Sequence, residues 1–114
     1  MDRKKNLLEF LEKDPSSSFL KFALAKEFEN ENNPVKSIEI FESLILADPA
    51  YTGAYYHLGK QYVKIKETKK AIQVYEAGIA ACKLHKAWHD GNELRAALEE
   101  LTEDETDNPT ADRS

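Results

Sequence analysis

Two Asp-Pro pairs, Asp14-Pro15 and Asp48-Pro49, stand 34 residues apart, and the residues around them repeat at that interval. Leu24 falls on Leu58, Phe28 on Tyr62, Ile38 on Ile72 and Phe41 on Tyr75. Small residues coincide as well, Ala25 with Gly59 and Ser37 with Ala71. A fixed period of this size is the signature of stacked helical hairpins, because one hairpin has an apolar face that only its neighbour can cover. The residue before a proline is pushed out of the α region, so each Asp-Pro stops a helix, whereas Pro34 suits the first turn of one. The chain is therefore expected to be all-α.

Taken in order, residues 3–13 are expected to form a short helix with Leu7, Leu8 and Leu11 on a shared face. It is too short to stand alone and must lie against the next hairpin. Ser16-Ser17-Ser18 supplies N-cap candidates for a helix over about 17–31, whose core stripe is Leu20, Leu24 and Phe28. The next helix, about 34–47, carries Ile38, Phe41, Leu44 and Ile45 on one side. A third, about 51–65, turns Tyr55, Leu58 and Tyr62 inward. A fourth, about 68–83, packs Ala71, Ile72, Tyr75 and Ile79. At the next boundary Cys82-Lys83 replaces Asp-Pro, and the apolar pattern continues through Leu84, Trp88, Gly91, Leu94, Leu98 and Leu101. That pattern predicts a capping helix over about 86–102 with a polar outer side, as a terminal unit requires, and with Trp88 in its core. One domain of residues 1–102 results, with repeats at about 16–49 and 50–83, and residues 103–114 are expected to be a disordered acidic tail.

The repeat resembles the tetratricopeptide repeat. The second unit carries the pattern in Tyr55, Leu58, Gly59, Tyr62, Ala71, Tyr75 and Gly78, of which Leu58-Gly59-x-x-Tyr62 is the strongest part. The first unit carries it in Leu24, Ala25, Phe28, Ser37, Phe41 and Pro49. Lys21, Leu44 and Lys83 depart from it, at places where an aromatic, a small residue and a closing proline are common. The resemblance covers roughly residues 16–83. It implies a right-handed superhelix of about six antiparallel helices, whose concave face is built from the first helix of each hairpin and holds a peptide or helix of a protein partner. Two full repeats fall short of the ~3 units such arrays usually need, so flanking helices or a second copy must supply the rest.

Reading the residues themselves leads to the same face. Phe19, Phe22, Lys26 and Asn30 lie off the core stripe of one helix, and Gly53, Tyr56, Lys60 and Lys64 follow each of them by 34 residues. Aromatic anchors beside lysines suit a peptide with apolar and acidic groups. The competing expectation is that Phe19 and Phe22 simply pack under the N-terminal helix or its loop. Some family members clamp the carboxylate end of a chaperone peptide, an arrangement that wants Lys-x-x-x-Asn in the first repeat. Phe22 and Lys26 stand there instead, so that clamp is not expected.

Composition narrows the remaining classes. Residues 99–114 hold seven acids and one base, leaving 14 acids and 15 bases in residues 1–98. Neither part has the net positive stripe of a nucleic-acid binder. The acidic tail could cover Lys26, Lys60 and Lys64 as a lid. No apolar run approaches the ~20 residues that span a bilayer, and the early apolar stretch is interrupted by Glu9 and Glu12. One cysteine, Cys82, excludes an internal disulfide and favours a reducing, cytoplasmic setting. Cys82, His85 and His89 would share a face of an unbroken helix, but no fourth ligand is evident beyond the distant His57 or Asp90, and the helix is expected to bend there. Cys82 with His85 lacks an oxyanion hole. No catalytic residue, metal or cofactor is therefore expected. The function expected is non-enzymatic protein binding, with self-association into a homodimer through the ends of the stack as the alternative.

Overall fold

The computed structural model describes residues 2–106. Six helices follow one another over that range: α1 (Arg3–Lys13), α2 (Ser18–Asn30), α3 (Pro34–Ala47), α4 (Gly53–Lys64), α5 (Thr68–His85) and α6 (Trp88–Thr106). No strand occurs among the described residues. Each helix packs on its sequence neighbours, and α4 also touches α6. The result is a right-handed α-α superhelix, 54 Å long and 31 × 20 Å across.

Helix starts and stops follow local chemistry. Asp2, Ser17 and Asn33 each accept the backbone N–H three residues on at 3.2 Å, satisfying donors that the first turns of α1, α2 and α3 leave unpaired. Helices α2, α4 and α5 close alike, with Asn32, Lys66 and Lys86 in the left-handed region at φ 61°, 64° and 58°. The next residue then reaches back into the helix: Asn33 N–H to Phe28 O at 2.9 Å, Glu67 to Tyr62 at 2.9 Å and Ala87 to Cys82 at 2.8 Å. This is the Schellman closure, made here without glycine.

Inside each hairpin a small residue faces a ring. Ala25 and Phe41 are fully buried between α2 and α3, where the Ser37 hydroxyl donates to the Ala25 carbonyl at 3.0 Å. In the next hairpin Gly59 lies so close to Tyr75 that an added Cβ would fall 2.2 Å from the ring. Gly78 likewise leaves no room between Tyr55 and Leu94. Between hairpins, the Tyr55 hydroxyl donates to the Pro49 carbonyl at 2.8 Å, and Tyr62 donates to Glu42. Phe41, Leu44 and Leu94 are wholly removed from solvent, and each burial stabilises by about 1.5–3 kcal/mol.

The two flanking helices complete the stack. On α2, α1 is held by buried Leu7, by ion pairs Arg3–Glu27 (3.2 Å) and Lys4–Glu31 (3.0 Å), and by Lys4 over the Phe28 ring at 4.9 Å. At the other end α5 runs on past the point where Asp48 ends α3, and the turn at Lys86-Ala87 is short. The buried leucine of the following helix, Leu94, therefore comes 36 residues after Leu58 rather than 34. Ser18 donates to Asp48 at 2.6 Å in the first unit. Its repeat mate Thr52 finds Cys82 where an aspartate would be and donates instead to Asp90 of α6, also at 2.6 Å.

Two expectations need correcting. Trp88 is 57% exposed rather than in the cap's core, because it is the first residue of α6 and Leu94, nearly two turns on, fills the centre. Helix α6 also runs to Thr106 rather than stopping at 102, with the Thr102 hydroxyl bonded back to the Leu98 and Glu99 carbonyls. Between Gly91 and Pro109 the sequence holds no glycine or proline to end it. The rest of the expected tail, 107–114, lies outside the described residues.

Two predictions follow from these contacts. Gly59→Ala should destabilise the fold by about 1–3 kcal/mol, since Tyr75 is only 2% exposed and cannot swing away. Gly53→Ala, whose Cβ would meet only Phe22 at 4.0 Å, should stay within about 0.5 kcal/mol; urea midpoints measure both. Lys66→Gly should raise the midpoint, worth about 1 kcal/mol, by relieving a left-handed backbone that costs an L-residue.

Candidate functional site

Helices α2 and α4 are the first helices of the two hairpins, and α6, the capping helix, follows α4 on the same side. Side chains rather than backbones join α2 to α4. Phe22 reaches from α2 onto Tyr51 (ring centroids 5.3 Å), His57 (5.5 Å) and Phe41 (5.9 Å). His57 lies over Phe41 at 5.8 Å, nearly parallel to it, and meets Tyr56 edge-on at 5.6 Å. Phe22 is thus part of the packing, but it packs onto the next hairpin and not under α1. Phe19, one turn earlier, is 67% exposed.

His57 is the centre of this group, and its spacing did not mark it, since a lone histidine one residue from an aromatic row carries no distinctive pattern. Its Nδ1 lies 3.1 Å from the Glu29 carboxylate, and both side chains are largely covered, at 18% and 14% exposure. A carboxylate only accepts, so Nδ1 carries the proton and donates. Burial lowers the imidazole's proton affinity. Glu29 opposes that shift, while Lys26 and Lys60 reinforce it. Burial prevails, and the ring is held neutral. One turn on, Gln61 is buried with its Oε1 unpartnered among the described residues.

The lysines expected at the site border these rings. Lys26 lies 5.9 Å from the Phe22 centroid and Lys60 5.2 Å from that of Tyr56. Lys64 donates to Asn32 at 3.3 Å, and Asn30 is exposed at the end of α2. Tyr56, Lys60 and Lys64 also line a cleft of about 350 Å³ between α4 and α6. Tyr56, Tyr75, Ala97 and Leu101 form its floor. Lys60 and Lys64 rim it on α4, and Glu100 rims it on α6. Burial, joined by the nearby Tyr56 and Glu100, pushes the Tyr75 phenol up to about 12, so it is neutral at ordinary pH. The seven expected residues therefore fall into two groups: Phe19, Phe22, Lys26 and Asn30 on α2, and Tyr56, Lys60 and Lys64 in the α4–α6 cleft. Sequence reasoning missed the α6 wall, because the shift from 34 to 36 residues hides its register.

Cys82 is buried under Thr52 and Asp90, and burial raises its thiol's pKa. His85 and His89 are exposed. No group of three metal-ligating side chains comes together among the described residues.

Among solved structures, the chain is similar to a tetratricopeptide repeat domain protein from Salinibacter ruber. The crystal form is 35% identical with a TM-score of 0.72, and the match covers 75% of this chain and 96% of that one. Its solution structure gives 36% identity and 0.72, covering 76% and 88%. A Bordetella parapertussis protein matches over 100% of this chain and 99% of its own at TM-score 0.85 and 20% identity. The Sgt2 tetratricopeptide repeat domain from Aspergillus fumigatus matches over 97% of this chain and 72% of its own at TM-score 0.79 and 22% identity. These last two share the fold. No protein-family model matches the chain, and no curated protein does.

The His57 environment has a pH signature. The folded state binds this proton less readily than the unfolded chain, whose value is about 6.5. Stability from the site is full above that pH and is lost as pH falls through it toward the lower folded value. His57→Gln should flatten the fall in melting temperature between pH ~7 and pH ~5; an unchanged slope in thermal unfolding would contradict it.

Proposed function

This chain belongs to the tetratricopeptide repeat family, and from that premise we propose that it is a non-enzymatic module that binds a protein partner along the face of α2, α4 and α6. The observation that carries the reading is the cleft beside Tyr56. It exposes aromatic and aliphatic surface on a helix whose lysines have no ion-pair partner among the described residues. Burying a partner's apolar side chain there removes both surfaces from water, while the lysines set orientation more than affinity. Phe22 supports the face from behind by holding His57, Tyr51 and Phe41 in place. Phe19 extends it as an exposed ring at the α2 end.

No helix is long and apolar enough to cross a membrane among the described residues. Self-association is the second reading. It is favoured by the exposure of Trp88 at the α5–α6 turn and of Phe19, which lie toward opposite ends of the stack. A second copy covering either would appear in light scattering as a dimer that Trp88→Ala or Phe19→Ala dissolves.

The test of partner binding is affinity capture with charge reversals on this face, circular dichroism checking that each variant stays folded. Lys26→Glu with Lys60→Glu should lose the partners that the unchanged chain retains. Lys69→Glu, exposed on α5, should keep them. Equal retention by both variants would place the function on another face.

A further inference from the structure

The α4–α6 cleft changes sign from one wall to the other. Lys60 and Lys64 are one turn apart on α4, both exposed, with no carboxylate within ion-pair reach among the described residues. Glu100 stands across from them on α6. In the register set by Leu58 and Leu94, Glu100 holds the place on α6 that Lys64 holds on α4. The row that begins with Asn30 on α2 therefore runs neutral, cationic, acidic. Between the walls the floor is apolar and includes Tyr75, which is neutral and buried. From Tyr56 to Lys64 the α4 wall measures roughly 12 Å at 1.5 Å per residue, the reach of about three or four extended residues.

Resting on the protein-binding reading above, we infer that this cleft selects a bipolar segment of a partner protein: an apolar side chain seated on Tyr56, Ala97 and Leu101, with an acidic residue toward Lys60 and Lys64 and a basic residue toward Glu100. A uniformly acidic segment would set like charge against Glu100. A uniformly basic one would set it against two lysines. The repulsive wall does as much of the selecting as the attractive one.

The test uses three synthetic peptides with the same Leu-Phe centre, flanked by acid and base, by acids only, or by bases only. Each is titrated into the isotope-labelled full chain and followed by backbone amide shifts. The bipolar peptide should move the amides of Lys60, Val63, Ala97 and Leu101 and bind at least about five-fold more tightly than either control. Glu100→Lys should hand the preference to the all-acid peptide. Lys60→Glu with Lys64→Glu should hand it to the all-base peptide. All three side chains changed are exposed, and circular dichroism checks that each variant stays folded. An unchanged ranking in Glu100→Lys overturns the inference, as does binding by none of the peptides. Shifts confined to the surroundings of Phe22 and Lys26 overturn it too, while leaving the broader reading of the face intact.

Discussion

The fold depends on how closely two helices of a hairpin can approach around one aromatic ring. Gly59 and Tyr75 take this to its limit, since the ring occupies the volume where a side chain would start. Ala25 and Phe41 hold the same repeat positions in the first hairpin, both fully buried in one cluster. Such contacts set the spacing of the hairpins, and the spacing sets where the outer faces of α2 and α4 meet. A chain with only two full repeats has little surplus apolar surface. The half-repeat α1 and the capping α6 are therefore as much a part of the stability as the repeats.

The face that results is not uniform. Toward α2 it is closed by packing: Phe22, Tyr51, Phe41 and His57 fill the space between hairpins, and Glu29 satisfies the imidazole. Toward α6 it opens into a cleft with an apolar floor. Rings that are in the same register by sequence thus have different duties. Phe22 is a structural support, whereas Tyr56 is shared between the support and the open cleft. The difference arises because α2 and α4 are bridged by side chains, while α4 and α6 leave a gap between theirs.

Much of this was legible in the sequence. The 34-residue interval located both hairpins, and Asp14-Pro15, Asp48-Pro49 and Pro34 marked their joints to within a few residues. Leu24, Phe41, Leu58 and Tyr75 reached the interior, because each sits at a position where helical periodicity and the repeat agree. The failures have a common cause. Trp88 is large and apolar, but it lies at a helix start beside a left-handed turn, where little surrounds it. The same rule holds at Gln61, which the apolar pattern passes over: it is polar and 1% exposed, since its helix face is dictated by Ala54 and Leu58. Local pattern reports a residue's preference, and at element ends and seams the neighbours decide instead.

The α6 wall is the sharpest case. Counted at 34 residues, Lys26 and Lys60 lead to Leu94, and Asn30 and Lys64 lead to Leu98. The open face would then end in aliphatics. The longer α5 and shorter turn displace the register by two, so Leu94 enters the core and Glu100 takes the rim. Asp90 moves with it and supplies Thr52 with the acceptor that Cys82 cannot. One change in helix length therefore closes the stack, repairs a polar contact and reverses the charge of the exposed row. In a solenoid these are coupled, because every side chain on a rigid helix turns with the same rotation.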